Sequence, residues 1–137
     1  MQTPQILPVN STQSVSAGPF QLRFYGDKHA LIHADIGPHI HNVALLVNDT
    51  FYYAGDSFTL PEGAPVKTLA APAHAPWLKE AETIDFIQAV RPQVCVPTHN
   101  GLLSEAGQQV VDNILRSVCE KVHAQYQSLQ PGQSIEI

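Results

Sequence analysis

The sequence has few cysteines and few basic residues. Among its 137 residues only Cys95 and Cys119 are cysteines, too few for a disulfide framework. Seven lysines and arginines stand against 12 aspartates and glutamates, and the formal net charge is -5. The basic residues form no cluster, so nucleic acid and an acidic membrane surface are poor partners. We therefore expect neither of them as a partner.

Membrane-spanning and targeting segments are also missing from the pattern. No apolar run approaches the roughly 18 residues that a membrane-spanning helix needs. The first residues, MQTPQILPVNSTQ, lack the basic and apolar regions of a signal peptide. Both cysteines lie in apolar segments, which is typical of reduced core residues. These features together favour a cytoplasmic protein.

The composition is that of one folded domain. Hydrophobic residues make up 44% of the chain and charged residues 14%, which supplies enough apolar material for a core. Residues 1–12 are expected to form a polar, proline-containing lead-in, and residues 13–137 a single α/β domain. The unusual residue is histidine, which occurs seven times.

Alternating and apolar segments predict five strands, and helical spacing predicts two helices. The second helix begins at Ser104, which is a good N-cap residue, and Pro92 ends the first. The last residues are expected to form a closing hairpin. The strands are expected at 20–26, 42–47, 51–54, 66–71 and 93–97, the helices at 79–90 and 104–122, and the hairpin at 125–137.

Several predicted strands end at a possible metal ligand. Asp56 follows FYYAG, His99 follows VCVPT, His74 follows TLAAPA, and RFYGDKHALIH contributes His29 or His33. Loops after strand ends are where α/β folds build their sites. Imidazole and carboxylate are the usual ligands of zinc, and of iron or manganese in mixed sites. The plainer alternatives are that Asp56 accepts backbone hydrogen bonds in a turn and that His99 binds a carbonyl.

Three segments in order carry a more specific signal. NVALLVNDTFYYAGDS, VKTLAAPAHAPWLKEAETIDFIQAVRP and VCVPTHNGLLSEAG resemble the C-terminal half of a metallo-β-lactamase-fold hydrolase. The closest branch is that of lactonase-like, metal-dependent hydrolases, and the resemblance covers residues 13–137. It implies half of an αββα sandwich, with one mixed β-sheet, helices on one face, and a site for one or two metals, usually zinc.

The resemblance also implies roles for single residues. Asp56 matches the aspartate that bridges the metals, and His99 matches the last histidine of the site. His29 best matches the histidine of the first metal, with His33 as the second choice. In this reading Asp56 and His99 are the catalytic residues, and all four are candidate metal ligands.

Two further residues lie near this expected site. His74 occupies a loop where the family often has glycine, so it either contacts substrate or is an exposed loop histidine. Trp77 either lines a substrate pocket or belongs to the core or an interface. Tyr52 and Tyr53 are expected to be ordinary exposed or interface residues, and we assign them no role.

One departure limits the functional conclusion. The family's His-x-His-x-Asp-His motif is absent, and the His39–His41 segment lacks the Asp-His that should follow. One hypothesis is a metal-dependent hydrolase of a small ester, lactone or phosphoester with an incomplete site. Another is a non-catalytic dimeric binding or scaffold module, and a third is a half that complements a separate N-terminal half.

A half-fold has one further consequence. Its sheet would leave an apolar face uncovered, and soluble monomers rarely tolerate exposed apolar patches above a few hundred Å². Two copies that cover each other's sheets would remove this exposure. We therefore expect a homodimer, with a small-molecule ligand as a further candidate partner.

Overall fold

The structure is a computed structural model that describes residues 6–137. This part of the chain contains one sheet of seven strands, two α-helices and a short 3-10 helix at Asn100–Leu102. The strands are β1 Ser14–Ala17, β2 Phe20–Tyr25, β3 Ala44–Val47, β4 Phe51–Tyr53, β5 Thr68–Pro72, β6 Val94–Thr98 and β7 Gln125–Tyr126. The helices are α1 Glu80–Val90 and α2 Glu105–Lys121.

The sheet is mixed, and its strands follow one another in chain order from β1 to β7. The first four strands are antiparallel neighbours; short turns join β1 to β2 and β3 to β4, and a long loop of residues 26–43 joins β2 to β3. The pairs β4–β5, β5–β6 and β6–β7 are parallel, and α1 and α2 form the connections within the last two. The expected α/β class with one mixed sheet is confirmed.

Both helices cover the same face of the sheet. Leu46 pairs with Tyr52, Tyr52 with Leu69, and Leu69 with Cys95, so these side chains share one face. All four are fully buried in the core, together with residues of both helices. The helical members of this core are Phe86, Ile87, Val111, Leu115, Val118 and Cys119.

The opposite face of the sheet is apolar and only partly shielded. Its residues alternate with the buried ones, and cross-strand pairs such as Leu45–Tyr53 and Val47–Phe51 join them. Neither helix contributes to this side of the sheet. The partly exposed apolar members on β2, β3, β4 and β6 are Leu22, Phe24, Leu45, Val47, Phe51, Tyr53, Val94 and Val96. We call these eight residues the uncovered face.

The helix ends follow from the local sequence. The Oγ of Ser104 accepts a hydrogen bond from the backbone N–H of Gly107 at 3.2 Å, as expected for the N-cap of α2. At the start of α1, the backbone N–H of Lys79 donates to Oε2 of Glu82 at 2.9 Å. Arg91 then adopts the left-handed conformation that ends α1, and Pro92 follows.

Several details differ from the sequence-based expectation. The prediction of a closing hairpin is wrong, because β7 has only two residues and pairs in parallel with β6. Strand β1 was not expected, and it pairs with β2 through a tight turn at Gly18. Tyr52 is not exposed but fully buried, and its hydroxyl donates to the carbonyl oxygen of Thr59 at 2.7 Å.

The remaining expectations concern the chain ends, the cysteines and membranes. The predicted lead-in at 1–12 lies partly outside the described residues, and its boundary stays a prediction. Cys95 and Cys119 are buried and free, as expected. Within residues 6–137, no helix is both long enough and apolar enough to cross a bilayer.

Candidate functional site

The ends of the parallel strands meet at one edge of the sheet. Asp56 follows β4, His74 follows β5, and His99 follows β6. Because parallel strands bring their carboxyl ends to the same edge, these loops lie side by side. A cavity of about 440 Å³ opens there, and its walls include all three residues together with His29 and Trp77.

The backbone before Asp56 strongly favours glycine. Gly55 has a φ of 66°, in the left-handed region, and a Cβ there would overlap the side-chain oxygen of Asn42. That oxygen accepts a hydrogen bond from the backbone N–H of Asp56 at 2.9 Å. Nδ2 of Asn42 donates to the carbonyl oxygen of Ala54 at 2.9 Å and to Oγ of Ser57 at 3.1 Å. The Asn42 amide therefore fixes the turn that carries Asp56.

Two imidazole rings flank the Asp56 carboxylate. Nε2 of His29 lies 3.6 Å from Oδ2, and Nδ1 of His99 lies 3.5 Å from Oδ1. The side chains of His29 and His99 are 13% and 24% exposed, so both rings are largely shielded while the carboxylate still reaches solvent. The structure thus brings together three of the residues that the sequence singled out.

Trp77 is part of this cluster. Its Nε1–H donates to Oδ1 of Asp56 at 3.3 Å, and its ring packs edge-on against both imidazoles and against Phe58. The ring centroids of Trp77 and Phe58 are 5.4 Å apart, and those of Phe58 and Phe86 are 5.5 Å apart. An aromatic column therefore connects the site to helix α1.

The hydrogen bond of His29 to a backbone carbonyl assigns the tautomer of its ring. Nδ1 of His29 lies 2.5 Å from the carbonyl oxygen of Ala30, which can only accept, so Nδ1 carries a proton. In the neutral ring, Nε2 then presents a lone pair toward the negative oxygen of Asp56. Two electron-rich atoms face each other in that state, unless a proton or a cation lies between them.

His99 is held in an uncommon backbone conformation. Its φ of 62° and ψ of 14° place it in the left-handed region, which costs a residue with a Cβ about 1 to 2 kcal/mol. Such strain often occurs where a side chain must be aimed at a site. Here it turns the imidazole back toward Asp56 at the point where β6 gives way to the 3-10 helix.

Tyr53 contacts the far side of His99. Its hydroxyl lies 3.3 Å from Nε2 of His99, and the two rings are near parallel, with centroids 6.5 Å apart. Burial, and secondarily the nearby Asp56 carboxylate, raise the pKa of the Tyr53 phenol. The phenol therefore keeps its proton at neutral pH.

The side chains of Asp56, His29 and His99 suit a divalent cation in ligand type and in orientation. Zinc ligands at about 2.0 to 2.2 Å stand about 3.3 Å apart in a tetrahedral site, close to both nitrogen–oxygen separations around Asp56. The lone pair of His29 also points at the carboxylate, as a ligand nitrogen would. In residues 6–137, however, no group of three or more His, Cys, Asp and Glu side chains is already arranged to hold a metal ion. Side-chain adjustment around Asp56 would be needed.

The other candidate histidines lie at different distances from this centre. His33 does not join it, and instead Nδ1 of His33 lies 3.6 Å from Oδ2 of Asp35 in an exposed pair. His74 lines the cavity. Burial raises the pKa of the nearby Glu80 carboxyl, and His74 partly offsets this rise. His39 and His41 bind backbone carbonyl oxygens of their own loop region.

Two residues that position the site were missed in the sequence. Asn42 lies in a loop without a motif, and only the Gly55-Asp56 pair hints that a side chain approaches the turn closely. No motif marks Tyr53, although strand alternation already requires Tyr52 and Tyr53 to face opposite sides of the sheet. With Tyr52 in the core, Tyr53 has to point away from the helices.

Sequence comparison identifies a longer relative. Protein Rv0786c of Mycobacterium tuberculosis is 40% identical over 88 residues, a match that covers 61% of this chain and 41% of the relative. The chain thus spans less than half of the curated relative that it matches. No protein-family model matches the sequence.

Structure comparison identifies the fold. Igni18, a metallo hydrolase from the archaeon Ignicoccus hospitalis, superposes with a TM-score of 0.66 at 16% identity, over 94% of this chain and 59% of Igni18. YhfI, a metallo-β-lactamase fold protein from Bacillus subtilis, superposes with a TM-score of 0.55 at 15% identity, over 91% of this chain and 52% of YhfI. The seven-stranded sheet with its two helices therefore has the metallo-β-lactamase fold, and it corresponds to about half of such a protein.

Proposed function

We propose that this chain forms the Asp56 side of a metal-dependent hydrolase site. The observation that carries the proposal is the Asp56 carboxylate held between ring nitrogens of His29 and His99. Both histidines and the aspartate stand at the carboxyl ends of the strands or in the loops beside them. The fold shared with a metallo hydrolase and with a metallo-β-lactamase fold protein supports the same conclusion.

Asp56, His29 and His99 would hold the cation, which would be zinc, iron or manganese by ligand type. When bound, such an ion lowers the pKa of a water molecule and polarises the bond to be cleaved. The backbone of Gly55 and the amide of Asn42 keep the carboxylate in place. Trp77 donates a hydrogen bond to Oδ1 of Asp56, and the second oxygen, Oδ2, faces Nε2 of His29.

The proposed substrate is a small ester, lactone or phosphoester. A cavity of about 440 Å³ has room for a small molecule beside the carboxylate. Its walls include the apolar side chains of Ile32, Trp77 and Leu102, which would contact the part of the substrate that does not react. His74 lies on the same wall and would supply a polar contact.

Metal analysis of the purified protein tests the proposal directly. We expect close to one equivalent of zinc, iron or manganese in the wild type, and a loss of most of it in Asp56→Ala. Asp35→Ala is the matched control, because Asp35 also lies 3.6 Å from a histidine but in an exposed pair. The control should keep its metal.

Hydrolysis assays complete the test. p-Nitrophenyl acetate, a γ-lactone and p-nitrophenyl phosphate represent the three substrate types, and turnover should require the metal and Asp56. The hydrolase proposal is rejected if the purified wild type contains no metal and if Asp56→Ala and His99→Ala fold as the wild type does. That result would favour the alternative function, a non-catalytic binding or scaffold module.

The uncovered face supports a proposal about the assembly. Eight partly exposed apolar residues on four strands form a surface that a soluble protein normally covers. We propose that two copies of the chain pack these faces together, in a two-fold arrangement that imitates the two sheets of a complete sandwich. Docking of a separate N-terminal half onto the same face is the competing arrangement.

Light scattering at several protein concentrations tests the dimer. The wild type should have twice the mass of one chain, and Val47→Glu, in the middle of the uncovered face, should shift it to the monomer. Gln21→Glu, at an exposed position of β2 that faces away from the uncovered face, introduces the same charge and should leave the dimer intact. A wild-type monomer that stays soluble at high concentration would contradict the arrangement.

A further inference from the structure

Tyr53 and Asp56 contact opposite ring nitrogens of His99. The Tyr53 hydroxyl lies 3.3 Å from Nε2, and Oδ1 of Asp56 lies 3.5 Å from Nδ1. A neutral imidazole has one N–H donor and one lone pair, so the two neighbours together decide which nitrogen carries the proton. A carboxylate only accepts, whereas a phenol both donates and accepts.

Only one arrangement satisfies all three groups when no cation is present. The Tyr53 hydroxyl donates to Nε2, and the proton on Nδ1 then points to the Asp56 carboxylate. The reverse tautomer would place the Nδ1 lone pair against a negative oxygen, which is unfavourable. The reverse tautomer becomes the correct one when Nδ1 binds a cation, because Nε2–H can then donate to the phenol oxygen.

We propose that Tyr53 is a positioning residue, whose hydroxyl donates to Nε2 of His99 without a cation and accepts from Nε2–H when Nδ1 binds one. It thereby keeps the imidazole ring in one orientation, with Nδ1 facing Asp56. The part of this inference that concerns a cation rests on the proposed function. Histidines that bind metals usually donate their other ring N–H to a fixed partner, which sets the tautomer and the angle of the ring.

The surrounding structure holds Tyr53 firmly enough for this task. Tyr53 is the last residue of β4, and it pairs with Leu45 on one side and with Ala70 on the other. Its ring lies 15° from parallel to the imidazole. The left-handed backbone of His99 fixes the other partner, so the hydroxyl and Nε2 meet with little freedom.

The first experiment uses nitrogen-15 NMR of the histidine rings in metal-free protein. We expect His99 of the wild type to carry its proton on Nδ1. In Tyr53→Phe the Asp56 carboxylate should still keep this proton on Nδ1, but the resonance of the unprotonated Nε2 should shift, because the phenyl ring offers Nε2 no hydrogen bond. An Nε2-protonated His99 in the metal-free wild type overturns the proposal, even if the Phe variant fails to fold.

The second experiment measures zinc affinity by competition with a chelating dye. Removing the partner of a ligand histidine typically weakens metal binding about 10- to 100-fold, and we expect this loss in Tyr53→Phe. Tyr25→Phe is the matched control, because it removes a hydroxyl from another strand tyrosine, whose ring packs against Tyr52. The control should bind zinc as the wild type does.

The two experiments separate the two proposals. If the wild type binds no zinc, the proposed function fails, and the metal-free spectra still decide whether the Tyr53 hydroxyl holds Nε2 of His99 by a hydrogen bond. If the wild type binds zinc and Tyr53→Phe binds it equally well, with an unchanged His99 spectrum, the role of Tyr53 is refuted while the metal site stands.

Discussion

Replacing Gly55 with alanine should disrupt the turn that carries Asp56. The φ of 66° costs alanine about 1 to 2 kcal/mol relative to glycine. The new Cβ would also overlap the side-chain oxygen of Asn42 and push the amide away from its three hydrogen-bond partners. Each of these bonds contributes about 1 kcal/mol. After the small gain from a stiffer unfolded chain, the free energy of unfolding should fall by about 3 kcal/mol.

Gly63→Ala is the matched control for this prediction. Gly63 has a φ of 79°, and a Cβ there would meet no atom within 4 Å. It therefore experiences the backbone cost without the collision, and its free energy of unfolding should fall by only about 1 kcal/mol. Urea unfolding followed by circular dichroism gives both values, provided that the slope with denaturant stays constant.

A double variant tests the cause of the difference. Asn42→Ala removes the side chain that the new Cβ would strike, so Gly55→Ala should cost markedly less in that background than in the wild type. Equal losses for Gly55→Ala and Gly63→Ala would refute the reasoning. So would strict additivity of Gly55→Ala and Asn42→Ala, because both results would mean that the amide does not contact this turn.

Three further predictions concern other parts of the chain. His99→Gly should be about 1 kcal/mol more stable than His99→Ala in thermal unfolding, because glycine relieves the left-handed backbone; equal stability would contradict the strain. Ser104→Ala should lose about 1 kcal/mol by the same assay through loss of the α2 N-cap, whereas Ser104→Asp should retain most of it. Burial, followed by the hydrogen bond to Asp112, raises the pKa of Tyr126 above its unfolded value near 10. The stability from this phenol is therefore complete below about pH 10 and is lost as the pH rises further, and the stability of Tyr126→Phe should fall less steeply in alkaline urea titrations.

The sequence predicted those features that periodicity and strand order control. The alternation in β2, the apolar runs of β3 and β6, and the capped helix α2 all depend on short-range patterns, and the structure contains each of them. The gathering of Asp56, His74 and His99 at one edge follows from the parallel strands that precede them. His29 faces Asp56 because the backbone N–H of Ala30, the next residue, donates to the carbonyl oxygen of Asp56 at 2.8 Å.

The missed features depend on contacts between distant segments. Asn42 approaches the turn after β4 from another loop, and nothing in its neighbouring residues marks it. The prediction of a closing hairpin was wrong because the chain stays beside β6 after β7: the backbone N–H of Gln127 donates to the carbonyl oxygen of Cys95 at 2.9 Å. A tail that pairs in parallel with β6 cannot fold back into a hairpin, and hydrophobic alternation alone does not distinguish the two.

The position of Tyr53 joins two properties of the molecule that are otherwise separate. Its ring belongs to the uncovered face, while its hydroxyl touches the imidazole beside the carboxylate. Any surface that settles on this side of the sheet displaces water from the phenol and strengthens the electrostatics of its hydrogen bond. Packing of a second copy on the uncovered face would therefore change the environment of His99 through the ring of Tyr53 alone, without movement of the backbone.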